Sequence, residues 1–123
     1  MRVVLDTSIL IDVLRGDAAA LGFVRAVTDV PICSEVTRIE VTRGLRSGER
    51  TSAEQLLRTL HWLPLDEPIA RRAGELGRRW HRHRPGISLA DLVIAATAEQ
   101  VDATLATANV RHFPMFEDLQ PPY

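Results

Sequence analysis

No lysine occurs anywhere in the 123 residues: all 15 basic side chains are arginine. A chemistry that depends on a catalytic or phosphate-holding lysine is therefore excluded unless arginine substitutes for it. Cysteine is almost as scarce. The single Cys33 cannot form an internal disulfide, which fits a reducing compartment, and its apolar setting reads as that of a small core residue. Long hydrophobic runs are missing as well. The cleanest, Leu92 to Ala98, falls far short of the ~20 residues that a membrane span needs. The apolar start is broken by Asp6 and Asp12, with no export-type cleavage pattern behind it, so the expectation is a cytoplasmic protein without membrane association. Repeats, low-complexity tracts and linkers are also lacking. An apolar share of 46%, a charged share of 25% and a net charge of −1 describe an ordinary globular chain, expected to form a single domain over residues 1–123.

What is present alternates short apolar runs with helical patterns. "RVVL" and "VPICS" read as brief buried strands, "ATLAT" as another, and "WLPL" as a strand whose Pro64 places it near an edge. "SILIDVLRG" reads as a helix closed by Gly16, and "DAAALGFVRAV" as one capped by Asp17. Ser34 is placed to cap a helix from Glu35 to about Arg46, with Val36, Ile39, Val41 and Leu45 toward the core. Thr51 with Glu54 suggests a capping box. A longer helix runs from Asp66 to about His83, with Ile69, Ala73, Leu76 and Trp80 along one face and Pro85 and Gly86 as its stop. Ser88 and Asp91 form a second capping-box pair before "LVIAATAEQ", a helix apolar nearly all round and hence central. "NVRHFP" reads as a loop or single turn and "PMFEDL" as a last strand. Strands alternating with helices imply a parallel sheet covered on both faces, a three-layer α/β/α domain.

In such sheets ligands collect beyond the carboxyl ends of the strands. Asp6 ends the first strand, Asn109 follows the strand containing Leu105, and Asp91 lies in a first helical turn, so the three can share one edge. Each also has a plain structural reading: Asp6 as a helix cap, Asp91 as the partner of Ser88. Glu40 sits among core-facing residues: either it is buried and needs a partner, an arginine such as Arg38 or Arg43 or a cation, or it stands at a solvent-exposed border. Carboxylates brought together repel and raise one another's pKa values unless a cation neutralises them. Oxygen ligands without His or Cys select Mg²⁺ or Mn²⁺, which suits metal-assisted phosphodiester cleavage.

Four ordered stretches, "VVLDTSILIDVL", "EVTRIEVTRGL", "ISLADLVIAATA" and "LATANVRHFP", resemble a PIN-domain ribonuclease of the VapC toxin type over nearly the whole chain. The resemblance implies a central, mostly parallel, twisted sheet of about four or five strands and a Mg²⁺- or Mn²⁺-dependent endoribonuclease leaving 5′-phosphate and 3′-hydroxyl ends. It maps the metal-holding acids onto Asp6, Glu40 and Asp91, and puts Asn109 where many relatives carry a further acid. Thr7 and Thr107 would orient the acids or ordered waters, or else satisfy turn backbone. The implied partners are RNA, a VapB-like antitoxin and a second copy of the chain in a homodimer.

RNA must reach an acidic site against like charge, so flanking arginines are required. The segment "RRAGELGRRWHRHRPG" offers Arg71, Arg72, Arg78, Arg79, Arg82 and Arg84, as a solvated helix face or as backbone contacts to RNA. His81 and His83 lack the spacing of a zinc site and read as surface residues, while His112 is either a packed loop residue or a general acid. A haloacid-dehalogenase-like phosphatase is disfavoured, because Ser8 replaces the second Asp of "DxDxT" and the usual lysine is missing. The alternative from another class is a non-catalytic PIN-like domain that grips RNA or protein.

Overall fold

The computed structural model describes residues 1–82 and 86–123; His83, Arg84 and Pro85, named above as surface residue, RNA contact and helix stop, lie outside the described residues. Four strands, β1 (Val3–Leu5), β2 (Ile32–Ser34), β3 (His61–Leu63) and β4 (Thr104–Ala106), form one parallel sheet in the order β3-β2-β1-β4. Val4 pairs with Ile32 on one side and Leu105 on the other. Among the described residues six α-helices surround it: α1 (Thr7–Leu14), α2 (Ala18–Ala26), α3 (Glu35–Arg43), α4 (Arg50–Leu57), α5 (Glu67–Trp80) and α6 (Leu89–Gln100). Among the described residues, no helix is long and apolar enough to cross a membrane.

Strand alternation splits the core in two. Val4, Ile32 and Leu105 point to one face, where they pack with Ile69, Ala73 and Leu76 of α5, Val93 to Ala96 of α6, and Phe113. Val3, Leu5, Cys33 and Ala106 point to the other, against Ile9, Leu10, Val41 and Leu57. Cys33 is fully buried and its thiol is pushed up to about 12 by desolvation, so it is an inert packing residue. Helix α6 is buried at every position from Val93 to Ala98 and exposed only toward its ends, as its all-round apolar pattern requires. Gly77 lets α5 close on it, since a Cβ there would meet Leu92 Cδ1 at 3.1 Å.

Helix starts follow the expected chemistry. Asp17, Asp66 and Ser88 accept from Ala20, Ile69 and Asp91 N–H at 3.0, 3.1 and 3.1 Å, and Ser34 accepts from Val36 N–H, caps worth about 1 kcal/mol each. Three local expectations fail. Helix α4 begins at Arg50 without a side-chain cap, because Glu49 is tied to Arg15 at 2.8 Å and Glu54 pairs with Arg50, which leaves Thr51 inside the helix. Helix α3 stops at Arg43, where the Gly44 N–H bonds back to Glu40 and Val41 carbonyls, and it buries Thr37 and Val41 while Ile39 is 63% exposed. The stretch "PMFEDL" is not a strand: Pro114 supplies no donor, Phe116 N–H turns back to Phe113 O, and Asp118 has φ +57.

Candidate active site

From β1 the chain crosses to β2 on one side, and from β3 it returns through α5 and α6 to β4 on the other. The crevice beyond the carboxyl ends of β1 and β4 is therefore the topological switch point. Asp6 stands there, 4% exposed. Its backbone N–H extends the ladder to Ala106 O, and its side chain caps α1 by accepting from Thr7 N–H at 2.8 Å. The other carboxylate oxygen accepts from Ser8 Oγ at 2.8 Å and from the buried Thr107 Oγ1 at 2.6 Å. Thr107 in turn accepts from Asn109 N–H at 2.9 Å, and Ser8 from Ala108 N–H at 3.1 Å. Burial pushes the Asp6 carboxyl above its ordinary range and the Asp91 charge adds to this, while the three hydrogen bonds pull it back. Asp6 is thus both a cap and a wall of the crevice.

Two further acids come from helices. Glu40 on α3 accepts from Thr7 Oγ1 at 2.6 Å, and its other oxygen lies 3.7 Å from the exposed Arg43. Asp91 opens α6 in a full capping box, accepting from Ser88 N–H at 2.9 Å. The same Asp91 oxygen lies 3.3 Å from His112 Nδ1. Asp6, Glu40 and Asp91 line one cleft of about 410 Å³ with Thr7, Asn109 and His112. A larger groove of about 680 Å³ runs between α2, β4 and the C-terminal segment. It is mainly apolar, and none of the three clustered acids borders it, so the chemistry belongs to the smaller cleft.

A family model described as "PIN domain" matches residues 3–117. The chain belongs to the PIN-domain family. It is 43% identical over 122 residues to ribonuclease VapC19 of Mycobacterium tuberculosis, covering 97% of this chain and 98% of that protein. To ribonuclease VapC10 of the same organism it is 45% identical over 123 residues, covering 98% and 92%. Among solved structures, a toxin–antitoxin complex from Klebsiella pneumoniae matches with a TM-score of 0.85 at 26% identity, covering 98% of each chain.

This PIN domain brings the three acids and their polar neighbours together, but not the arginines of α5. Asp6, Thr7, Glu40, Asp91 and Asn109 border the cleft, and Thr107 supports Asp6 from behind. Arg71 and Arg72 are engaged by Glu67, Glu75 and Glu99, so that part of α5 is a paired, solvated face. His112 is no packed loop residue, since its side chain is 47% exposed at the cleft wall. Sequence reasoning passed over Ser8 as a partner of Asp6, and Thr37, whose hydroxyl lies 3.2 Å from Thr7 Oγ1. The signals were slight: Ser8 lies two residues after an acid at a strand end, and Thr37 one turn before Glu40.

The fit of a divalent cation can be judged from the donors. All three acids offer hard oxygens, and the charge of Asp91 is felt at Asp6, the repulsion a cation would relieve. Among the described residues, no three His, Cys, Asp or Glu side chains crowd into a ready-made cage. Carboxylate and amide oxygens are the donors that suit Mg²⁺ or Mn²⁺, and Mg²⁺ keeps several waters while taking one or two carboxylates directly.

Proposed function

We propose that this PIN domain is a divalent-metal-dependent endoribonuclease and the toxin component of a type II toxin–antitoxin pair. The observation that carries the reading is the meeting of Asp6, Glu40 and Asp91 in one cleft at the sheet's switch point. The ribonuclease relatives, matched at 43% and 45% identity over almost the entire chain, support the same activity.

Asp6 and Asp91 would hold Mg²⁺ or Mn²⁺, and Glu40 would complete the site and orient or deprotonate the attacking water. Asn109 would offer a neutral oxygen where an acid would add charge. Thr7 and Thr107 fix the carboxylates so that little reorganisation is needed when substrate arrives. A bound divalent ion would supply a polarised phosphoryl oxygen and a water acidic enough to attack near neutral pH. Arg43, 75% exposed beside Glu40, would be one cation able to meet an RNA phosphate, and cleavage would leave 5′-phosphate and 3′-hydroxyl ends.

The toxin–antitoxin complex with the same fold supports a VapB-like antitoxin as partner. A homodimer, a cytoplasmic setting and a single domain over residues 1–123 complete the proposal. The test is RNA cleavage by purified, partner-free protein. Cleavage with Mg²⁺ or Mn²⁺, lost with EDTA and in Asp6→Asn, is expected; metal-independent cleavage, or full activity in Asp6→Asn, would overturn it. Absence of Mn²⁺ binding in the wild type would favour a binding module instead.

A further inference from the structure

The Thr37 side chain is fully buried on α3, one helical turn before Glu40. Its hydroxyl lies 3.2 Å from Thr7 Oγ1, which itself lies 2.6 Å from Glu40 Oε1. A threonine hydroxyl carries one proton, and an ionised carboxylate can only accept. The proton of Thr7 therefore goes to Glu40, the shorter and charge-assisted contact. It follows that the bond between the two threonines runs the other way, with Thr37 donating to Thr7.

A second buried threonine shows what the ordinary arrangement would be. Thr97 on α6, 1% exposed, donates to Val93 O one turn back in its own helix at 2.7 Å, the usual local solution for a helical hydroxyl. Thr37 is equally buried, yet its hydroxyl partner is on α1, beside the cleft. Valine would fill the same volume without a polar atom to satisfy. The position of Thr37 also explains why Ile39 faces solvent, because the inward side of α3 is given to Thr37 and Val41.

We infer that Thr37 is a positioning residue for the cleavage reaction, the first donor in a relay from Thr37 to Thr7 to Glu40 that fixes one oxygen of the Glu40 carboxylate. Donation into Thr7 strengthens its own donation, as in other hydrogen-bond chains. The relay engages Oε1 and leaves Oε2, on the Arg43 side, outside it. A matching chain stands behind Asp6, where Asn109 N–H donates to Thr107 and Thr107 to the carboxylate. The inference rests on the ribonuclease reading of the cleft.

The test uses the full chain as Thr37→Val, Thr37→Ser, Thr7→Val and the Thr7/Thr37 double valine variant. Mn²⁺ affinity is read by the paramagnetic resonance of free Mn²⁺, RNA cleavage by kcat and KM, and folding by the melting temperature in EDTA. Loss of a direct outer partner costs about 10–100-fold in metal affinity or activity. Thr37→Val, one bond further out, is expected to cost about threefold to tenfold in Mn²⁺ affinity or kcat, with KM for RNA unchanged. Thr37→Ser should restore wild-type values, and Thr37→Val should add nothing in the Thr7→Val background. Wild-type Mn²⁺ affinity and kcat in Thr37→Val would overturn the relay, as would multiplying effects in the double variant or a loss that serine does not rescue. A wild-type chain that neither binds Mn²⁺ nor cuts RNA overturns the ribonuclease reading and this inference with it. A wild type that does both, beside an indifferent Thr37→Val, overturns the relay alone.

Discussion

Asp6 stands at the end of a buried strand with both oxygens taken by neighbouring donors, whereas Glu40 stands in mid-helix, its side chain 24% exposed, with one hydroxyl partner and an exposed arginine 3.7 Å away. The sheet ladder, the cap of α1 and the buried Thr107 leave Asp6 a single orientation. Glu40 keeps an oxygen that can turn toward the cleft or toward Arg43. The difference separates a rigid anchor from an adjustable partner. Rigidity has a cost, because a desolvated carboxylate near Asp91 is held above its ordinary pKa.

The largest effect that tests this contrast is expected from Asp6→Asn. RNA cleavage should fall by more than about a hundredfold, beyond what the loss of an outer partner causes, with circular dichroism unchanged. Retained activity would remove Asp6 from its place as anchor. Next come the two threonines. Thr107→Val and Thr7→Val should each weaken Mn²⁺ binding or cleavage by about 10–100-fold. Thr107→Val should be the more severe, because no water can reach its fully buried site whereas Thr7 is only half-buried; the opposite ranking would invert the comparison.

The pH dependence follows from the raised Asp6 pKa. Between the ordinary value of 3.8 and the higher folded value, the folded state keeps a proton that the unfolded chain has lost, so stability falls as pH rises. In EDTA, the stability of wild type relative to Asp6→Asn should be highest below 3.8, decline through that window and level off above it. Saturating Mg²⁺ should shrink the decline. A difference that grows with pH in EDTA would contradict the burial of an uncompensated Asp6 charge. The smallest effects belong to the exposed wall: Arg43→Ala and Ile39→Asp should each change unfolding free energy by no more than about 0.5 kcal/mol in urea. A larger loss in Ile39→Asp would mean that the outer face of α3 is covered.

Much of this arrangement was legible in the residues. The apolar run after Ser88 and Asp91 marked a central helix with a capping box, and the acid after "VVL" marked a strand end. Where reading failed, local patterns competed. Thr51 and Glu54 have the spacing of a box, yet Arg50 and Arg15 claim the neighbouring carboxylates. "PMFEDL" has strand-like apolar residues, but Pro114 and the turn at Phe116 give it no ladder. On α3 and just after it, Val36, Val41 and Leu45 reach the core as expected, but Ile39 faces solvent and Thr37 is buried instead, because a helix with few apolar residues does not declare its own inward side.

By itself the sequence determined the four strands and their following helices, the caps at Asp17, Ser34 and Ser88 and the kinds of oxygen donor at the strand ends, since these depend on residues within a turn or two of each other. Only the tertiary structure decided that Asp6, Glu40 and Asp91 share one cleft and that Thr37 and Thr107 stand behind two of them. Those groups are far apart along the chain, and the angle at which α3 and α6 pack on the sheet sets where their side chains meet.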